Sequence, residues 1–167
     1  SLLDTMAHLV EWPGLIRGSF DAAYLELPEE ILVTAMREHQ KVLPTRDGSG
    51  ALAPHFFAVA DHTGDPKGHI VRGNEWVLNA RFADARFFWD DDGKVPLEAR
   101  VPRLERLSFQ EKLGDTLRKT ERVEALTEHL AVGLGLSDLV PEATRAARLA
   151  RADLVTDMVR EFPDLQG

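Results

Sequence analysis

The chain has 167 residues, 44% hydrophobic and 29% charged, with a net charge of −8 and no cysteine. That length fits one domain or two small ones, and the mixture is that of an ordinary folded chain rather than a disordered one. Absent cysteine removes disulfides, thiolate catalysis and thiolate metal sites, and the acidic balance argues against coating nucleic acid by bulk electrostatics.

No run approaches the roughly 18 to 20 apolar residues of a membrane helix. The start, Ser1-Leu2-Leu3-Asp4, has no basic stretch before an apolar core and does not read as a secretion signal, and the absence of cysteine suits a cytoplasmic location, which is expected. It also lacks an initiator Met, which points to a beginning inside something longer.

Asp4 to Trp12 places Met6, Leu9, Val10 and Trp12 on one helical face and stops at Pro13. Leu15 to Phe20 is short and apolar and reads as a strand. Leu27-Pro28-Glu29-Glu30 opens a helix running Ile31 to about Glu38, because Pro suits the first helical position and carboxylates suit the positive dipole end. Lys41 to Arg46 and Pro54 to Ala60 flank the turn-forming Asp47-Gly48-Ser49-Gly50, a hairpin pattern. Gly64-Asp65-Pro66 is a break.

From Ile70 to Trp89 the period becomes helical, through Val71, Val77, Leu78, Phe82, Ala85 and Phe88 or Trp89, and Asp90-Asp91-Asp92-Gly93 is expected to end it. Three more helices follow: Leu97 to Leu107, Thr116 to about Leu134, and Pro141 to about Arg160. The middle one carries Val123, Leu126, Leu130 and Leu134 on one face. The fold class is α+β: a mixed strand and helix half over residues 1–93, then an all-helical half over 94–167.

Charge is uneven between these parts. Residues 1–99 carry −7 and residues 100–167 only −1, so a phosphate-facing surface belongs in the second part. Arg145, Arg148 and Arg151 recur every three residues as one basic stripe on the last helix. Arg100, Arg103, Arg106, Lys112, Arg118, Lys119 and Arg122 add to it, offset by Glu105, Glu111, Asp115 and Glu121. Such arginines either contact RNA phosphates or form a solvated face with bridges to neighbouring acids.

His39, His55, His62, His69 and His129 lack zinc-site spacing, so no metal is expected there. The Asp90-Asp91-Asp92 triplet reads as a solvated connector rather than a hard-cation site. Nucleophile elbow, P-loop and dinucleotide fingerprint are all missing from the sequence, and no catalytic residue is expected in this segment. Asp153 shares the last helix with Leu149, Ala152 and Val155, as either a functional or a hydrogen-bonded structural carboxylate.

A series of strings carries a resemblance. Leu9-Val10-Glu11-Trp12-Pro13, Phe20-Asp21 through Leu27-Pro28-Glu29-Glu30, and Met36-Arg37-Glu38-His39-Gln40-Lys41 come first. Gly73-Asn74-Glu75, Ala80 through Phe88, Phe109-Gln110-Glu111-Lys112-Leu113-Gly114, Lys119-Thr120-Glu121-Arg122, and Arg145-Ala146-Ala147 through Gly167 follow in order. Together they resemble a middle stretch of the β subunit of bacterial two-subunit glycyl-tRNA synthetases. Departures are Val42-Leu43 for aromatic residues, Trp76 and Asn79 for expected Arg, and Arg118 for an expected acid.

The resemblance implies a segment of glycine–tRNA ligase serving tRNA(Gly) recognition and assembly with the α subunit and the rest of the β subunit. It also implies ATP and magnesium for the whole enzyme, held at the α subunit, and no cofactor in this segment. The first half is similar to part of a B3/B4 module of phenylalanyl-tRNA synthetase, and the second to the start of an HD-type domain. On the family's HD pattern the metal-holding dyad reads Ala152-Asp153, and the early His falls near Lys119-Thr120. Without imidazoles a divalent metal is not held, so a metal-free relic is expected, with Arg145, Arg148, Arg151, Lys119 and Arg122 as RNA-contact candidates. A synthetase-derived scaffold and an HD-type phosphohydrolase are the alternatives; the Ala152-Asp153 pair argues against the second.

Overall fold

The computed structural model describes residues 2–62 and 64–167. Two compact units make it up, Ser1–Trp89 and Asp90–Gly167.

In the first unit, helix α1 (Leu2–Leu9) precedes strand β1 (Pro13–Ser19), and a 3₁₀ turn at Ala22–Glu26 leads into α2 (Glu29–Thr34). A π-helical turn, Ala35–His39, extends α2 close to the expected length. Of the expected α1 face only Met6 is buried, while Leu9 and Trp12 are exposed. Strands β2 (Leu43–Arg46) and β3 (Leu52–Asp61) form the expected hairpin, and the antiparallel sheet has the order β1-β3-β2.

The alternation of strand side chains sends Ile16 and Gly18 of β1, and Leu52, Phe56 and Ala58 of β3, to the buried face. Gly18 is opposite Phe56 in the register. A Cβ on Gly18 would sit 2.3 Å from the Phe56 ring, so only glycine lets that ring fill the core. The hairpin loop is fixed by Asp47, whose carboxylate accepts from the Ser49 N–H at 2.8 Å and the Ser49 hydroxyl at 2.6 Å.

Helix α3 (His69–Asp92) starts where Asp65 accepts from the N–H groups of His69 (2.9 Å) and Val71 (2.8 Å). Leu78, Phe82 and Ala85 are its buried side chains. Phe82 meets Phe20 edge-on at 4.9 Å and Tyr24 at 5.5 Å. Burying one such phenylalanine stabilises by about 1.5–3 kcal/mol. One turn back, Asn79 accepts from the Asp21 N–H at 3.0 Å, and a further turn back Glu75 accepts from the Ser19 N–H and hydroxyl, both at 2.9 Å. Asn79 thereby ties the segment just after β1 to α3.

In the second unit, α4 (Leu97–Arg100) passes directly into a 3₁₀ turn, Val101–Arg106, so the expected Leu97 to Leu107 helix is two pieces. Strands β4 (Ser108–Gln110) and β5 (Gly114–Asp115) form a two-stranded ribbon. The expectation of an all-helical half is corrected by that ribbon; Gly114, at φ +86°, supplies its tight turn. Helix α5 (Thr116–Gly133) is capped by Asp115, which accepts from the Arg118 N–H at 2.8 Å. It packs with α6 (Val140–Leu149). Val123, Leu126, Leu130 and Leu134, which share one face by their spacing, are exposed in this unit.

The expected helix from Pro141 to Arg160 is interrupted. After α6 comes a turn at Ala150 and Arg151, a 3₁₀ segment at Ala152–Val155, and α7 (Asp157–Glu161). Two causes are visible. Ala152, fully buried, is drawn into the cluster of Val101 and Leu104, which Leu107, Leu117, Leu149, Leu154 and Val155 surround. Thr156 then restarts the helix, its hydroxyl accepting from the Val159 N–H at 3.2 Å.

The acidic run is also corrected. Asp90 to Asp92 lie inside α3 rather than beyond it. Asp92 is no solvated connector: it pairs with the buried Arg100 at 3.0 Å.

Candidate nucleic-acid interface

Each expected RNA-contact residue lies in the second unit, but they do not form one stripe on one helix. Arg145 on α6 is paired with Glu98. That carboxyl is held below its usual range, first by its own backbone N–H and then by the Arg145 guanidinium. Arg148 reaches Glu124 of α5 at 3.3 Å. Arg151 lies past the end of α6, in the turn before the 3₁₀ segment, so the uninterrupted spacing read from sequence is broken there.

Lys119 and Arg122 stand one turn apart on α5. The Lys119 ammonium sits 3.9 Å from the centre of the Phe109 ring, and Phe109 is itself exposed on the ribbon. Such a cation over an aromatic face keeps its charge available to solvent while its position is fixed. Arg122 donates to the Leu113 carbonyl at 3.1 Å. Both cations are therefore oriented by the β4–β5 ribbon, an element the sequence reading did not foresee.

The residues that the resemblance sets at HD-type ligand positions do not fit a divalent metal. The Ala152 methyl is buried among Val101 and Leu104. Thr120, 2% exposed, donates its hydroxyl to the Thr116 carbonyl at 2.9 Å. Asp153 accepts from the Gly167 N–H at 3.0 Å, a structural use for the carboxylate whose role the sequence left open. Among the described residues no three His, Asp or Glu side chains gather as a metal would need.

Sequence reasoning treated Arg103 and Arg106 only as part of a diffuse charge and passed over Arg160. These three arginines line one cleft with Leu107, Leu154, Val155, Thr156 and Asp157. The signal was present in the spacing of Val101, Arg103, Leu104 and Arg106, which gives a 3₁₀ turn one apolar and one basic edge. Arg100, counted with that charge, is instead buried.

The family described as glycyl-tRNA synthetase beta subunit matches residues 1–167. The glycine–tRNA ligase beta subunit of Moorella thermoacetica is 49% identical over 167 residues, which is 99% of this chain and 24% of the relative. That of Bacillus subtilis is 45% identical, over 99% of this chain and 25% of the relative. That of Neisseria meningitidis is 42% identical, over 100% and 24%. The chain thus spans about a quarter of the length of these relatives. An end-to-end match of this kind sets the class, that of aminoacyl-tRNA synthetase subunits. The chain belongs to the glycyl-tRNA synthetase beta subunit family.

Proposed function

We propose that this segment acts within glycine–tRNA ligase, contributing to tRNA(Gly) recognition and to assembly with the α subunit and the remainder of the β subunit. The observation that carries the reading is the family match along all 167 residues, at 42% to 49% identity to glycine–tRNA ligase beta subunits. ATP and magnesium serve the whole enzyme at the α subunit, and this segment supplies binding rather than chemistry. Residues 1–93 belong to a B3/B4-type region and 94–167 to the start of a metal-free HD-type region used as an RNA-docking surface. The exposed cations of the second unit, Arg145, Arg148 and Arg122 among them, support that use.

Arginine suits this task because its planar fork meets phosphate oxygens two at a time. The pairs Arg145–Glu98 and Arg148–Glu124 are solvent-exposed and screened by water and salt, so an RNA phosphate competes for these guanidinium groups. Filter binding of a tRNA(Gly) transcript to the 167-residue chain tests the reading. Binding is expected to fall steeply between low and high salt, and to be lost in the Arg145→Glu, Arg148→Glu, Arg151→Glu variant. Unchanged affinity in that variant removes these arginines from the interface.

A further inference from the structure

The Val101–Arg106 turn carries a basic feature separate from the arginines of α6. In a 3₁₀ helix, residues three apart fall on one edge, about 6 Å from each other. Val101 and Leu104 take the inner edge and are both 0% exposed. Arg103 and Arg106 consequently share the outer edge, and both are exposed. Arg160 lines the same cleft, together with the apolar side chains of Leu107, Leu154 and Val155. Asp157, the one carboxylate in the lining, is 3.3 Å from Arg160. Among the described residues no carboxylate pairs with Arg103 or Arg106.

Both walls of this cleft are held by the same side chain. Asp92 pairs at 3.0 Å with Arg100, the residue directly before the turn that presents Arg103 and Arg106. Its two oxygens also accept from the N–H groups of Asp157 (3.1 Å) and Met158 (2.8 Å), at the start of the helix that presents Arg160. The guanidinium groups are therefore mounted on a fixed frame, and binding a ligand there orders little backbone.

We infer that this cleft binds the phosphates of an RNA backbone, with Arg103 and Arg106 on neighbouring phosphates and Arg160 on the facing wall. The inference rests on the tRNA-binding reading above. Two forks at a fixed step match the regular charge spacing of a nucleic-acid strand, and a partly apolar lining whose one carboxylate is already paired with Arg160 accepts the sugar between phosphates. An acidic protein segment offers carboxylates on flexible stems, with no such regular step.

The test measures anisotropy of a labelled tRNA(Gly) transcript with the 167-residue chain over a series of salt concentrations. Polyglutamate is the second probe. Arg103→Gln/Arg106→Gln is expected to weaken RNA binding and to make the slope of log K against log salt shallower by roughly 1 to 2, one contact per arginine. Because both side chains are exposed, its thermal midpoint by circular dichroism is expected to match the parent chain. Arg103→Lys/Arg106→Lys is expected to restore the slope, since charge is kept. If the parent binds RNA and the glutamine variant keeps the parent slope, the cleft inference fails while the tRNA reading stands. If the parent does not bind RNA even at low salt, the tRNA reading fails and takes the inference with it. Loss of polyglutamate binding with RNA binding intact also overturns the inference, in favour of an acidic protein partner.

Discussion

The Asp92 carboxylate lies 3.0 Å from the Arg100 guanidinium, and their side chains are only 13% and 4% exposed. Arg100 also donates to the Asp92 carbonyl at 2.9 Å, and Asp92 accepts two N–H groups from the start of α7. A buried ion pair is rarely a net source of stability against an apolar replacement, but removing one partner leaves the other charge stranded.

Asp92→Ala is therefore expected to destabilise the second unit by about 3–5 kcal/mol, since it strands Arg100 and uncaps α7 together. Urea unfolding of the variant beside the parent chain measures this. A shift within 0.5 kcal/mol of the parent, the scale of an ordinary surface substitution, contradicts the assigned role.

Gly18→Ala is expected to cost roughly 1–3 kcal/mol, because the added methyl would lie 2.3 Å from the Phe56 ring and force the ring to move. The Phe56→Leu change should lower that penalty, as a smaller side chain leaves room opposite residue 18. A double-mutant cycle from denaturation midpoints reads the coupling. Strictly additive effects would show that the two positions do not meet.

The elements whose pattern is local were legible in the sequence. The hairpin follows from Asp47-Gly48-Ser49-Gly50 between apolar runs, and α3 follows from Leu78, Phe82 and Ala85 at helical spacing. What the sequence concealed was decided by tertiary contacts. Nothing in Ala150-Arg151-Ala152 breaks a helix by itself; the break comes from Ala152 entering the Val101 and Leu104 cluster. Thr156, a residue type suited to capping, accepts from the Val159 N–H and restarts the helix. The basic candidates were found by counting charge, whereas their partners Glu98 and Glu124 lie 47 and 24 residues away in sequence and could not be matched by spacing.

The Asp65 carboxyl is held below its ordinary value mainly by the Val71 N–H, with those of His69 and Ile70 adding to it. A depressed folded value means that the contribution is fully present above the unfolded carboxylate range, near pH 4, and is lost as pH falls through the lower folded value. Thermal unfolding of the parent chain is expected to fall more steeply below about pH 4 than that of Asp65→Asn. Parallel curves for the two proteins would remove Asp65 as the cap of α3.

Leu126 and Leu130 share one face of α5 by their spacing, and they are 55% and 52% exposed. Replacing both with Gln should change the unfolding free energy of the chain by no more than about 0.5 kcal/mol each. A loss of several kcal/mol would place them inside a core.

Steady-state glycylation tests the account most directly. The complete β subunit, combined with the α subunit, is assayed with and without Arg145→Glu, Arg148→Glu and Arg151→Glu in this segment. A docking surface without chemistry predicts a raised KM for tRNA(Gly), with kcat and the KM for ATP little changed. A KM for tRNA equal to that of the parent enzyme, or a fall in kcat alone, contradicts it.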